Sequence, residues 1–455
     1  MSNDNSNNKP EIEVREFVRD GYSSQEEINE RRRKEKALVR RLDCFIIPVL
    51  MILNLISYLD RANIGFAATQ GMARDIHLEG NQLNTAISVF YIFYILAEFP
   101  ISIFVKRLRF DRVIPAIALF WANALYLCNW YKREELGLRI ALLFVASALA
   151  GAFGGLLAWG VIHLDGVSNM AGWRWLYILE GLITVVWALL CIVLVPRDYE
   201  TAYFLNDEQK ALMRKRAEEM DAYNGGSGHY TRKDIEEAAR DVKSWAHAVI
   251  QIAIVTVLYG FSTFLPIIIK EGFQFSTVQA QYLVIPVNIW GSIAYTVGAI
   301  LSDRYGARFL PLAICAPFGI VGYAILLCKA PSEVRYFATY LIVIPCFLCC
   351  GTNITWLSVN CAPDGKRAAS LGILLSLTNI GGIIAGQIYQ ANSGPAFTLG
   401  HAWSLGSYGF AWLGWWFVRA IYKRRQVLKD KMLSEGAVVP EGEYTDRAPD
   451  FKYQI

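Results

Sequence analysis

The sequence predicts an all-α polytopic membrane protein built from two related halves. Three observations carry this. First, the 455 residues are 54% hydrophobic and only 18% charged, against about a quarter charged in a soluble domain. Second, apolar segments long enough to cross a bilayer recur along the chain. Third, basic and glycine positions repeat at fixed offsets between the two halves, as duplicated units do. The 13 Trp, 23 Tyr and 24 Phe also suit a chain with membrane interfaces.

Taken in order, residues 1–42 are polar and carry Arg31-Arg32-Arg33-Lys34-Glu35-Lys36 and Arg40-Arg41. They run directly into an apolar span without a secretory signal and read as a cytoplasmic tail. Candidate spans follow at 43–59, 83–105, 113–131, 138–162, 173–195, 246–270, 279–301, 310–329, 335–359, 368–390 and 402–421. The polar stretch 196–245, with Asn224-Gly225-Gly226-Ser227-Gly228, separates an N-terminal transmembrane half at 43–195 from a six-helix half at 246–421. Residues 422–455 begin Tyr422-Lys423-Arg424-Arg425 and read as a second cytoplasmic tail.

Eleven spans have the wrong parity. With the basic N-terminal tail inside, a single crossing at 113–131 exports the 196–245 loop, Asp303–Arg308, Lys366-Arg367 and Lys423-Arg424-Arg425. One further crossing between Arg112 and Leu136 returns all four to the inside. The repeat agrees. Arg107 and Arg304 differ by 197 and Pro115 and Pro311 by 196, but Arg139 and Arg367 differ by 228, as do Gly154 and Gly382. The first half is thus shorter by about 31 residues, one helix and its loop, lost between Pro115 and Arg139.

The net charge of +4 is too small for a nucleic-acid partner. Of the nine cysteines, all but Cys44 and Cys361 lie inside apolar runs. Cys346-x-x-Cys349 has no second pair, so it reads as packing and no metal or cofactor is expected.

Ionisable groups inside spans are functional candidates. Asp60-Arg61 ends the first span, and a carboxylate beside a guanidinium can hold a proton or a substrate anion in alternation; the pair can also simply cap the helix. Glu98, in Leu96-Ala97-Glu98-Phe99-Pro100, is either a proton site or an anchor for the basic turn 106–112. Glu180 is expected to pair with Arg174 or a loop arginine. The turns Lys106-Arg107-Leu108-Arg109 and Asp303-Arg304…Arg308 suit latches between helix ends, besides marking topology. No carboxyl lies within a span of the second half, which offers Tyr259, Gln281, Asn288, Asn353, Trp356, Asn360, Asn379 and Gln387. Asn353 and Trp356 share a helix face, suited to a planar acid. Helix–helix packing is the competing use of each asparagine, and of the glycine runs Gly151…Gly154-Gly155 and Gly381-Gly382…Gly386.

Leu59-Asp60-Arg61-Ala62-Asn63-Ile64-Gly65, Gly71-Met72-x-x-Asp75, Glu98-Phe99-Pro100, Tyr131-Lys132-Arg133 and Gly172-Trp173-Arg174-Trp175 resemble the fungal anion:cation symporters of the major facilitator superfamily. So do Asp303-Arg304-Tyr305-Gly306 and Gly365-Lys366-Arg367, over about residues 40–425. The branch includes allantoate, pantothenate and nicotinate permeases. The resemblance implies a major facilitator fold of twelve helices, here with the fourth missing, and proton-coupled uptake of a small organic anion in the plasma membrane. It links Asp60 to the proton and Arg61 to the anion; from the residues themselves, Asn63, Tyr259, Asn353, Trp356 and Asn379 are the further candidates towards substrate and Glu98 towards the proton, and a monomer is expected. Because the basic turn occurs in both halves, Lys106, Arg107, Arg109, Asp303, Arg304 and Arg308 are the gating candidates. The family's Arg-Phe-x-Leu-Gly-x-x-Glu-Ala-Gly on the fourth helix has no counterpart in this chain. Competing readings are a nutrient sensor that binds without moving its ligand, and an effluxer of the same superfamily. An enzyme is not expected, because no nucleophile–base pair or phosphate loop is present.

Overall fold

The computed structural model describes residues 25–104, 126–127, 130–223, 232–390, 393–435, 445–449 and 451–454. Helix α1 (Gln25–Phe45) leads into α2 (Ile47–Thr69), α3 (Gln82–Phe104), α4 (Arg133–Val161) and α5 (Gly172–Leu194). Two polar helices, α6 (Asp207–Tyr223) and α7 (Arg232–Arg240), form the connection. The second half contains α8 (Val242–Ile267), α9 (Thr277–Tyr305), α10 (Phe309–Leu327) and α11 (Ser332–Val359). It ends with α12 (Asp364–Thr378), α13 (Ile380–Ile388) and α14 (Thr398–Ser434).

Eight of the expected spans coincide with helices long and apolar enough to cross a membrane. Segment 83–105 falls on α3, and 402–421 lies in α14, where Trp, Gly and Ser lower the hydropathy. Segment 113–131 lies largely outside the described residues. One boundary needs correcting. Asp60-Arg61 does not end the first span: α2 continues through Ala62–Thr69, because this small and apolar stretch keeps helical packing possible beyond the charges.

The packing shows how the halves relate. Helix α2 packs on α4 and α5, as α8 packs on α12–α13 and α14. Between halves, α4 packs on α9 and α3 packs on α13, while α2 and α8 meet on the axis. A two-fold exchange of α2 with α8, α3 with α9, α4 with α12–α13 and α5 with α14 reproduces all of these pairs. Helices α10 and α11, the most extensively packed pair, have no counterpart among the described residues.

The chain tails share one end of the bundle, here the tail side. There Arg139 holds Asp43 at 2.6 Å and Arg216 of α6 holds Glu135 at 2.6 Å. At the far end the halves are tied together. Asn84 Nδ2 donates to the Gly386 and Tyr389 carbonyls, each at 2.7 Å, and Lys270 Nζ donates to the Thr69 carbonyl at 2.5 Å. Close approach there requires glycine: a Cβ on Gly65 of α2 would stand 1.9 Å from the Thr263 carbonyl oxygen of α8.

Candidate functional site

Where α2, α4, α8, α11 and α12 converge, a narrow cavity of about 30 Å³ remains between the halves. The first half contributes Tyr58, Arg61 and Phe144. The Arg61 guanidinium lies over the Tyr58 ring, 4.9 Å from its centroid, an arrangement that retains a cation in an apolar wall. The second half contributes Gln251 and Tyr259 of α8, Cys350 of α11, and Thr378 and Asn379 at the end of α12. Tyr259 stacks on Tyr91 of α3 at 4.9 Å. Asn379 sits at the break between α12 and α13, which turns it towards the cavity. Gly381 and Gly382 follow the break and let α13 approach α8 and Tyr91, where any Cβ would clash.

Three of the expected substrate residues, Arg61, Tyr259 and Asn379, therefore share one wall space. Asn63 is buried in α2 and does not line the cavity. Asn353 and Trp356 do share a face, as their spacing required, but that face is turned into the second half. Asn353 Nδ2 donates to Gln251 Oε1 at 2.7 Å, and Asn353 Oδ1 lies 2.8 Å from His247 Nδ1 and 2.9 Å from Trp415 Nε1. Trp356 packs edge-on to His247 at 5.3 Å. The residue that carries this network to the cavity is Gln251. Sequence reading passed over it because an isolated glutamine in a span looks like any packing amide. Gln281 and Asn288 are buried in α9 against Gly155 and Gly151 of α4, a packing use.

Asp60 is exposed and lies outside the cavity lining. Glu180 of α5 is 3% exposed, and neither carboxyl oxygen has a hydrogen-bond partner. The ionisable group acting on it through space is Asp60. The expected pairing of Glu180 with Arg174 is corrected. Arg174 Nη2 is bound to Asp75 at 3.0 Å, because residues six apart do not share a helix face. The backbone of Glu98 and Asp303 lies in α3 and α9, and their side chains are outside the description; Lys106, Arg107 and Arg109 lie outside the described residues. Arg308 Nη1 donates to Ser302 Oγ at 3.2 Å within its own turn, and Arg304 is exposed at the end of α9.

Two helical halves that meet around a cavity lined from both sides are the architecture of a membrane transporter. Residues 116–386, more than half of the chain, match the family model of the Major Facilitator Superfamily, and the chain belongs to that superfamily. It is therefore a multi-pass membrane protein of a transporter family and not an enzyme. An uncharacterized transporter of Schizosaccharomyces pombe is 40% identical over 402 residues, covering 81% of this chain and 80% of that protein. The high-affinity nicotinic acid transporter of Saccharomyces cerevisiae is 30% identical over 459 residues, covering 92% of this chain and 85% of that protein. The inward open conformation of the Escherichia coli xylose transporter XylE superposes with a TM-score of 0.59 at 13% identity, over 81% of this chain and 95% of the other. That likeness shows the fold. Against 402 aligned positions, 81% of 455 residues is about 369, leaving about 33 positions opposite gaps in this chain. For the nicotinic acid transporter, 459 against about 419 leaves about 40.

Proposed function

We propose that this protein belongs to the anion:cation symporter branch and is built for proton-coupled uptake of a small organic anion, with a nicotinate-like monocarboxylate as substrate class. The observation that carries the reading is Arg61 in the cavity wall, opposite Tyr259 and Asn379 of the other half. A guanidinium offers a carboxylate two parallel hydrogen bonds, and the tyrosine faces and the amide suit a planar ring. The relationship to a nicotinic acid transporter points the same way. Asp60, beside Arg61, is the proposed proton carrier, and the unpartnered Glu180 close to it gives the proton a second carboxyl. The tails and the α6–α7 connection are assigned to the cytoplasm on the positive-inside rule, the membrane to the plasma membrane, and the working unit to a monomer.

The same reading has the fourth helix missing from this chain. Helix α3, tied at residue 84 to the far end, brings Phe104 to the tail side. Tyr126 is also on the tail side, where its hydroxyl donates to the Pro196 carbonyl at 2.7 Å. The intervening 21 residues amount to one crossing of about 30 Å, where leaving and returning needs two. The gaps of about 33 and 40 positions against the relatives match the missing piece in size. The chain as written is therefore expected to bind its anion without sustaining coupled transport, which keeps the sensor reading as the second possibility. The deciding experiment is uptake of labelled vitamin-like monocarboxylates by cells carrying this chain or a version with a helix inserted near Ala124. Gradient-driven uptake of one such acid by the restored version is expected. Uptake of none, at normal surface level, sinks the substrate class.

A further inference from the structure

Residues 445–449 and 451–454 return to the tail-side end of the second half, where Asp446, Ala448, Phe451 and Tyr453 are buried. The Asp446 carboxylate is 1% exposed and accepts from Lys366 Nζ at 2.8 and 3.0 Å. It also pairs with Lys243 Nζ. The backbone of Gln454 bonds on both sides. Its N–H donates to Asn360 Oδ1 at 2.8 Å, and its carbonyl accepts from Trp356 Nε1 at 2.8 Å and Asn360 Nδ2 at 3.0 Å. The Tyr453 ring packs on Tyr422 at 5.2 Å, and Lys429 Nζ donates to the Asp446 carbonyl at 2.7 Å.

These contacts pin α8 through Lys243, α11 through Asn360 and Trp356, and α12 through Lys366. The same three helices form the second half's wall of the cavity, with Gln251, Cys350 and Asn379. A continuous set of contacts joins the two places: Gln454 to Trp356, Trp356 to His247, His247 to Asn353, and Asn353 to Gln251. Electrostatics give the segment a reason to dock. Without Asp446, the buried Lys243 and Lys366 and the half-buried Arg425 share Asp241, which lies 2.9 Å from Lys366 and 3.6 Å from Lys243. An uncompensated buried charge is strongly unfavourable, so the site holds an anion or loosens.

We propose that residues 445–454 are a releasable intramolecular latch, an aromatic peptide that seats the Asp446 carboxylate on a di-lysine site at the ends of the cavity-lining helices. Docking of the latch and the arrangement of the cavity are linked. A ligand that favours one arrangement of these helices shifts the latch, and the latch shifts the ligand's affinity by the same factor.

Two native thiols report the two places. Cys361 is fully buried beside the latch, and Cys350 lines the cavity. Burial raises the Cys361 thiol above its usual range, which keeps it slow to alkylate while the latch is docked. The test is alkylation of the protein in membranes by a small permeant maleimide, read by peptide mass spectrometry. It compares the full chain, Asp446→Asn and a chain ending at Ser434. The expected result is Cys361 labelling faster by about tenfold or more in both variants, the scale of losing one partner of a buried ion pair. Cys350 should follow with a smaller rise. The buried Cys191 and Cys349 serve as controls and should stay protected. Equal Cys361 rates in all three proteins overturn the latch. A rise at Cys361 with none at Cys350 overturns its link to the cavity. If both variants label Cys191 as fast as Cys361, the segment is a folding element of the whole chain and the proposal falls too.

Discussion

Helices α5 and α14 occupy equivalent places in the two halves and are treated very differently. Along α14, buried positions recur from Gly400 to Lys429, held by α10 on one side and α8 on the other. Along α5, only Gly172, Leu176, Glu180 and Cys191 are buried, against α2 and α4. Lipid can cover the bare leucines and valines of α5 at no cost. It cannot satisfy the buried Glu180 carboxyl, and a buried polar group without partners is expensive. The comparison teaches that a helix with few packed neighbours can leave its apolar side chains to lipid, but not a buried carboxyl without a partner.

The largest expected effect tests this directly. Inserting a family-like fourth helix near Ala124 should turn a chain with little surface expression and little uptake into one that reaches the surface and accumulates labelled acid. Equal uptake per molecule from both chains would remove the difference between the halves. Next, in the restored version, Asp60→Asn should abolish accumulation against a gradient while leaving exchange measurable; normal accumulation rules Asp60 out as the proton carrier. Arg61→Lys should weaken carboxylate binding by ~1.5–3 kcal/mol, since an ammonium cannot form the two-point contact. Unchanged affinity for every transported acid marks Arg61 as structural. Glu180→Leu should stabilise the chain as written by ~1 kcal/mol or more, by removing a buried polar group without partners. A detergent melting curve for the pair shows whether that gain is absent.

The smallest effect concerns pH in the second half. Burial raises the Asp241 carboxyl, but Lys243, Arg425 and Lys366 outweigh it and hold the carboxyl below the usual range. A depressed folded pKa gives stability that is present above the unfolded value, about 4, and is lost only as pH falls through the lower folded one. The clamp around Asp241 should therefore give the same proteolysis rate of the C-terminal segment at pH 8 and pH 5. A marked rise by pH 5 would show that Asp241 does not hold it.

Much of this was legible in the sequence, and the reasons are physical. Span positions follow from hydropathy, which a bilayer enforces residue by residue. The wrong parity and the jump in repeat offset fall on Pro115–Arg139, much of which lies outside the described residues. Arg61, Tyr259 and Asn379 were visible as polar exceptions in apolar helices, and they meet at the cavity. Asn353 and Trp356 looked equivalent to them, because helical spacing gives a shared face but not the direction it points. Glu180 was read as paired because a nearby arginine was in the sequence, whereas its rotation about α5 decides. Residues 445–454 resemble any polar tail, since nothing local in Asp446 says that two lysines far back in the chain are waiting for it.

The contact of Gly65 with Thr263 has a mechanical consequence. Two long helices that touch backbone to backbone at one point act as levers about a fulcrum, and opening at either end must turn on it. A methyl group at Gly65 would act as a wedge, prising the far ends apart and tipping the resting balance of the two halves towards the opposite face of the membrane.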